Sequence, residues 1–440
     1  MHFLKIVTPV AAILLTACGS PTPTRPGVIL FEGARLITGE PGAPIESSAF
    51  LIEDGKFSKV GRKGEITAEG ASRVDLTGKT VIPALIDTHT HLGWQIVNTG
   101  KIGAATFTRE NLIDHLNRLA YYGVGATRNL GIDAGDIAFD LRANPVVGAA
   151  LLRTAGRGMA MPKAGPGQEY WKPTAYGVTT EAEARKTVRE LAAKKVDIVK
   201  IWVDDRGGKV KKLTPALYRA IIDEAHKNSL QVIAHIYYLA DAKDLLKAGV
   251  DAFGHGVRDR DIDDEFVALM KAHPAVYVIP NLPDNPGAPP DAAWLRETLP
   301  DAIVSELSNA AARQTPEVRK RALDFFTLQA HNLARLNKAG VKIAFGTDSG
   351  ETVGWPVHME LADMVTAGMS PAQVLTAATK TSAEVLKLDQ MGTIAAGKSA
   401  DFVALDANPL EDMRNTRQIW RVWLRGTEVD RVALRAKFSK

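Results

Sequence analysis

A single cysteine, Cys18, serves the whole chain of 440 residues. With no second one, an intrachain disulfide is excluded, and so is a metal centre built from clustered thiolates. Charge of one sign is also missing. The 54 Lys and Arg nearly balance the 50 Asp and Glu, giving a formal +4 that is spread along the chain. The short basic run Lys209-Val-Lys-Lys212 reads as a solvated loop, and no nucleic-acid signature is found. There is no internal repeat and no low-complexity tract. What remains is a globular chain long enough for one large domain plus a smaller module.

What the sequence does carry is Asp87-Thr-His89-Thr-His91, at the end of an apolar run that starts at Thr80. Side chains alternate along a strand, so two imidazoles one residue apart share a face and can hold one metal ion between them. A His-x-His on a loop can equally be polar surface. Four further residues of suitable chemistry close or interrupt later strand-like runs: Lys200, His235, His255 and Asp348. Between these runs lie stretches of helical spacing, 215–227, 239–248 and 321–338. Alternating strand and helix reads as repeated βα units on a parallel sheet. About eight such units predict an α/β fold closed into a (β/α)8 TIM barrel, whose site lies at the C-terminal strand ends.

Lys200 is the least ordinary of the set. An ammonium within an apolar strand is costly unless it is paired, neutral or chemically modified. Carboxylation by carbon dioxide would turn it into an anionic oxygen ligand able to bridge two divalent ions. The alternatives stay open for the others. Asp348, between Thr347 and Ser349, could cap the next helix, and His255 could be a satisfied core residue.

The chain ends carry a different message. Lys5, the apolar stretch 6–15 and Leu15-Thr-Ala-Cys18 match a bacterial lipoprotein leader. This predicts a signal peptide over 1–17, lipidation of Cys18, and a stiff Pro-rich linker to residue 26. A plain signal peptide is the alternative. No Asp follows Cys18, so the expected location is the outer membrane of the cell envelope, facing the periplasm, with the lipid as the membrane contact. Residues 27–81 and 392–440 alternate apolar and polar with turn signals such as Glu53-Asp-Gly55, as strands do.

Taken together, these motifs resemble the amidohydrolase superfamily, in its imidazolonepropionase-like branch with Xaa-Pro dipeptidases (prolidases) and ochratoxinase-type amidases. Besides Asp87 to His91 and Lys200, the resemblance rests on Gly123-Val-Gly-Ala-Thr-Arg128, Gly346-Thr-Asp348, Gly368-Met-Ser-Pro371 and Gly392-Thr-Ile-Ala-Ala-Gly397-Lys-Ser-Ala-Asp401. It implies a barrel over 82–391 beside a small β-sandwich built from both chain ends. It also implies a metal-dependent hydrolase of an amide or peptide bond, acting on a dipeptide, an Xaa-Pro pair or an N-acyl amino acid. His89, His91 and Asp348 would bind one ion, His235 and His255 a second, with carboxylated Lys200 between them. Nitrogen and oxygen ligands suit zinc. A hydroxide bridging the two ions would attack the carbonyl, Asp348 would move its proton to the leaving nitrogen, and Tyr237 would donate to the oxyanion. Tyr237 reads equally as an aromatic at the barrel mouth.

A substrate carboxylate calls for a cation, and Arg157 or Arg258 is the expected clamp. His358, which opens a late helical segment with Glu360, either borders the site or serves the helix start. The loop after the third strand, 156–167, lacks the histidine many relatives carry there. Its continuation through Trp171 is rich in Gly, Pro and aromatics, as a segment covering a site would be. Other readings of the same chemistry are hydrolysis of a cyclic amide, imide or lactone, and, from another class, an inactive surface-binding lipoprotein. Homo-oligomerisation is left open.

Overall fold

The computed structural model describes residues 27–438; the expected signal peptide, lipidated Cys18 and linker lie outside the described residues. Six short strands come first: β1 (Ile29–Glu32), β2 (Arg35–Leu36), β3 (Ser48–Glu53), β4 (Lys56–Arg62), β5 (Ser72–Asp75) and β6 (Thr80–Pro83). Four of them form a sheet in the order β4-β3-β1-β5. β2 and β6 join the last three strands of the chain, Phe402–Leu405, Ile419–Leu424 and Thr427–Glu428, in a second sheet. The two ends of the sequence thus share an apolar core of Phe31, Phe50, Phe57, Phe402 and Trp423.

Phe402 is the keystone of that core. Its ring stacks on Trp423 at 4.7 Å and meets Phe31 and Phe50 edge-on at 5.3 and 5.2 Å. Removing a fully buried aromatic ring costs about 3–5 kcal/mol. Phe402→Ala is expected to lose that much in chemical denaturation, and an unchanged midpoint would show that the two ends do not depend on this contact.

The larger part of the chain follows: β7 (Leu85–Thr90), a ribbon of β8 (Gln95–Ile96) and β9 (Lys101–Ile102), then β10 (Val124–Asn129) and β11 (Leu151–Thr154). After the short β12 (Met159–Ala160) and β13 (Tyr176–Gly177) come β14 (Val199–Val203), β15 (Val232–Ile236), β16 (Ala252–Gly254), β17 (Tyr277–Ile279) and β18 (Lys342–Ile343). Helices fill the intervals at the expected places. Pro215–Lys227 starts at Thr214, whose hydroxyl accepts from Leu217 N, with proline in the first helical turn. Leu239–Lys247 and the longer Pro316–Lys338 cover the other two predicted stretches.

Apart from the antiparallel β8–β9 ribbon, these strands pair in parallel, but they do not form one continuous closed ladder. They fall into two arcs, β11-β10-β7 and β13-β12-β14-β15-β16-β17-β18. The expected closed barrel is corrected in this respect. At one seam regular pairing stops because β18 is two residues long and the chain turns left-handed at Asp348, φ 60°. Backbone bonds still cross there, from Thr88 N to Phe345 O at 2.9 Å and from Asp348 N to His89 O at 2.8 Å. At the other seam β11 ends and Gly156, φ 64°, turns the chain; Asp197 N still donates to Thr154 O at 2.9 Å.

Alternation along the strands sets two packing faces. Leu130, Ala155, Ile198, Ile233, Ala252, Tyr277, Ile279 and Ala344 pack with one another in one cluster on the concave side. Their neighbours Val199, Ile201, Val232, Ala234, Phe253 and Val278 pack outward with helical residues such as Leu217 and Leu245. Burial on both faces is why these strands read as nearly unbroken apolar runs.

Candidate active site

Beyond this inward apolar layer, at the C-terminal strand ends, the inward positions become polar. Period two carries Ile198 to Lys200, Ile233 to His235 and Ala344 to Asp348, while β7 delivers His89, and the residue just past the end of that strand is His91. Ligand atoms of His89, His91 and Asp348 all lie within 4.8 Å of one another. Oδ1 of Asp348 stands 3.1 Å from Nε2 of His89 and 3.0 Å from Nε2 of His91. The His89 contact lacks the angles of a hydrogen bond. Both ring nitrogens of His89, and Nδ1 of His91, have no hydrogen-bond partner among the described residues.

The other three residues adjoin this group. Nε2 of His255 is 3.8 Å from Oδ2 of Asp348, and the His235 and His255 rings meet at 4.5 Å. Nδ1 of His255 accepts from Arg258 at 2.6 Å, and Nε2 of His235 lies 3.1 Å from Oδ2 of Asp204. Each of these two rings keeps its second nitrogen for another partner. The Nζ of Lys200 is buried with no hydrogen-bond partner among the described residues. Gly254 leaves room beside it: a Cβ there would meet His89 Cε1 at 3.1 Å and Lys200 Nζ at 3.3 Å.

Burial sets the protonation of the cluster. It pushes His89 and His235 down to about 3 and His255 well below the usual range, so the rings are neutral and their lone pairs available. Burial also pushes the Lys200 amine down to about 7. For Asp348 burial acts upward, but the facing His89 and His255 outweigh it and hold the carboxyl well below its ordinary value. Its side chain remains 37 % exposed although it stands among buried rings, so it is the carboxylate of the cluster that a substrate can reach. Neutral imidazoles, an open carboxylate, buried atoms without partners and the space at Gly254 together fit a centre for divalent metal.

A supporting layer braces the donors. Asp87 accepts from His89 N and Thr347 N, both at 3.1 Å, and from Thr347 Oγ1 at 2.7 Å, tying β7 to the segment that carries Asp348. Burial raises its carboxyl to about 7. Asp204 was missed in the sequence. Burial there acts upward, but hydrogen bonds from His235 and the Arg206 backbone hold it at about 2. The signal that could have found it is its spacing, since it follows Lys200 by four residues on the same strand face.

The covering loop lies where the sequence expected it. Trp171, 8 % exposed, sets its ring 5.1 Å from that of His91, and Gly350 has no side chain to obstruct it. The Tyr170 hydroxyl donates to Glu351. Arg157 belongs to this loop rather than to a substrate clamp. Its guanidinium donates to the carbonyls of Thr174 (2.8 Å) and Pro173 (3.2 Å) and lies over the Tyr176 ring at 3.9 Å. His358 is likewise engaged in packing. Its Nδ1 meets Thr416 Oγ1 at 3.0 Å and its Nε2 the Tyr122 carbonyl at 3.1 Å, leaving no nitrogen for a substrate. Arg258 does reach the cluster through His255, while its Nε donates to Gln329 on the helix Pro316–Lys338 at 3.3 Å. Tyr237 follows β15 with its ring 5.0 Å from that of Tyr238, and its hydroxyl has no hydrogen bond among the described residues.

Comparison with known proteins places this geometry in context. The profile of the amidohydrolase family matches residues 80–435. Ochratoxinase from Aspergillus niger is 24 % identical, the alignment covering 96 % of this chain and 94 % of that enzyme. Imidazolonepropionase from a Geobacillus species is 25 % identical over 82 % of this chain and 84 % of its own. A solved Xaa-Pro dipeptidase with methionine bound in its active site superposes with a TM-score of 0.72 at 23 % identity, covering 91 % of this chain and 99 % of that one. A common fold therefore extends over nearly the full length.

Proposed function

Since the chain belongs to the amidohydrolase family, hydrolases of carbon–nitrogen bonds, we propose that it cleaves the amide bond of a dipeptide or N-acyl amino acid. The observation that carries this reading is the open carboxylate of Asp348 within 4.8 Å of two histidines, with the buried Lys200 amine, which has no hydrogen-bond partner among the described residues, close to His89 across Gly254. His89, His91 and Asp348 would hold one divalent ion, His235 and His255 a second, and Lys200, carboxylated by carbon dioxide, would join them. Zinc suits these nitrogen and oxygen donors. Divalent ions held there would supply Lewis acidity, making water a stronger acid and a carbonyl a better electrophile.

The protein groups then have defined tasks. A C–O bond forms from water to the carbonyl carbon and the C–N bond breaks. Asp348 accepts the proton of the attacking water and delivers it to the leaving nitrogen, which departs as an amine. The free hydroxyl of Tyr237 donates to the developing oxyanion. Trp171 and its loop keep bulk water from the reacting atoms. Arg258 supplies the positive charge that a substrate carboxylate seeks.

The barrel over 82–391 and a β-sandwich from 27–81 and 392–440 are the domain division this reading adopts. The leader over 1–17 and a lipidated Cys18 would fix the enzyme to the outer membrane, facing the periplasm. The catalytic reading is tested by incubating the metal-loaded chain with a panel of dipeptides and N-acyl amino acids and assaying released amino acid. Release identifies the leaving group. A panel left intact, while cyclic amides or lactones open, would replace the substrate class.

A further inference from the structure

We propose that Asn281 reads the N–H of the scissile amide together with the carboxylate beside it, so that the enzyme prefers secondary amides of amino acids to N-substituted ones such as prolyl amides. The proposal rests on the amide-hydrolase reading above and decides between its two leading substrate types.

The position of Asn281 follows from the alternation of β17. Tyr277 and Ile279 belong to the inward cluster with Ile233, Ala252 and Ala344. Ile279 already stands at the level of the site: a Cβ on Gly346 would come within 2.6 Å of its Cγ2 and 2.9 Å of His89 Cβ. The next inward step is Asn281, as the step after Gly346 is Asp348. Neighbouring segments pin the turn on both sides. Gly256 N donates to Pro280 O at 3.4 Å, and Leu282 N donates to both carboxyl oxygens of Glu360 at 3.1 and 3.2 Å.

Its state is unusual. Asn281 is 2 % exposed, and neither Oδ1 nor Nδ2 has a hydrogen-bond partner among the described residues. Native structures rarely leave both halves of a buried carboxamide unsatisfied. The backbone at Asn281 is left-handed, φ 44°, a strain that clusters at ligand sites. Glu360, on the helix Pro356–Thr366, spends its carboxyl on holding the next residue in place rather than on satisfying Asn281.

The ligand chemistry follows from the carboxamide itself. It presents an acceptor and a donor side by side in one plane. An acylated amino acid presents the complement, an amide N–H and a carboxylate oxygen separated by one carbon and its carboxyl. Oδ1 accepts the N–H while Nδ2 donates to the carboxylate. A prolyl or N-methyl amide has no N–H and leaves Oδ1 facing carbon. Sites built on such a hydrogen bond reject the analogue that lacks it far more strongly than apolar pockets reject a size change.

The test compares kcat and KM of the metal-loaded full chain on an N-acyl amino acid, its N-methyl analogue and the matching prolyl compound. The wild type is expected to favour the N–H substrate by about 10²-fold or more in kcat/KM. Asn281→Gly removes the carboxamide and tolerates the left-handed backbone. It is expected to lose most of that preference, because the N–H substrate falls by the larger factor while the carboxylate contact is lost to both substrates alike. Asn281→Asp, of equal size, opposes the substrate carboxylate and is expected to raise KM for acyl amino acids but not for an acyl amide without a carboxylate. Equal rates on N–H and N-methyl substrates, or equal losses on both in Asn281→Gly, would overturn the proposal and leave Asn281 satisfied by a buried water. If the wild type cleaves no amide at all, the amide reading falls, and this inference with it.

Discussion

Asp348→Asn is expected to lower kcat by about 10²- to 10⁴-fold, the range for removing a general base and proton carrier, while the protein stays folded. The substitution keeps size and shape. It also keeps the backbone, because Asp348 sits at φ 60° and asparagine enters that region as readily as aspartate. What it removes is the charge on the group that faces His89 and His91 at 3.1 and 3.0 Å and remains open to substrate. The amide cannot take a proton from water and return it to nitrogen. KM for a substrate gripped elsewhere should move much less than kcat. Steady-state kinetics with a parallel unfolding curve checks this, and a kcat within tenfold of wild type would remove Asp348 from the proton path.

The second large effect concerns Lys200. Its amine is buried, has no hydrogen-bond partner among the described residues, and is pushed down to about 7 by burial. An amine of that pKa is abundantly neutral at ordinary pH and free to react with carbon dioxide. The product would be an anion in the space that Gly254 leaves beside His89. Lys200→Met, which keeps volume but has no nitrogen, is expected to lose at least one bound divalent ion per chain. It should also lose about 10²-fold or more in activity, the usual scale for a disrupted metal site. Metal analysis and ¹³C spectra of bicarbonate-labelled protein read the two parts separately. A carbamate signal present in wild type and absent in the variant is the expected pair.

The same shift has a consequence for stability in the metal-free, carbon dioxide-free protein. The folded pKa of about 7 lies below the unfolded value of 10.5, so between them the unfolded chain binds more protons. Stability then rises with pH across that window. The wild type should gain on Lys200→Met as pH goes from 7 towards 10.5, as seen in denaturant midpoints. A difference that is flat with pH would mean that the amine is not desolvated in the folded state.

Much of this arrangement was legible in the sequence because it depends on period and position. His89 and His91 share a face by alternation; His235, His255 and Asp348 could be placed at strand ends because each apolar run is followed by a helical stretch, and Lys200 inside its strand because it interrupts the run. The helix at Pro215–Lys227 was readable to the residue from Thr214, Pro215 and its apolar spacing. Other features depend on partners far away in sequence. Arg157 and a substrate-binding arginine look alike until the carbonyls of Pro173 and Thr174 take up the guanidinium. His358 could not be told from a site residue before Thr416 and the Tyr122 carbonyl claimed both its nitrogens. The broken ladder at Asp348 and Gly156 reflects local left-handed backbone at a non-glycine and a glycine, which strand periodicity does not register. Asn281 escaped notice because an asparagine between two prolines reads as a turn, and only its burial marks it.

The most direct test of metal-dependent amide hydrolysis is to strip the chain with a chelator, restore a single divalent metal in steps, and follow released amino acid. Activity should vanish with the metal and return as the ions rebind, reaching its maximum at two per chain and staying about 10²-fold or more lower in Asp348→Asn at every ratio. Release that persists in the stripped protein, or a fully loaded wild type that leaves every amide intact, would contradict it.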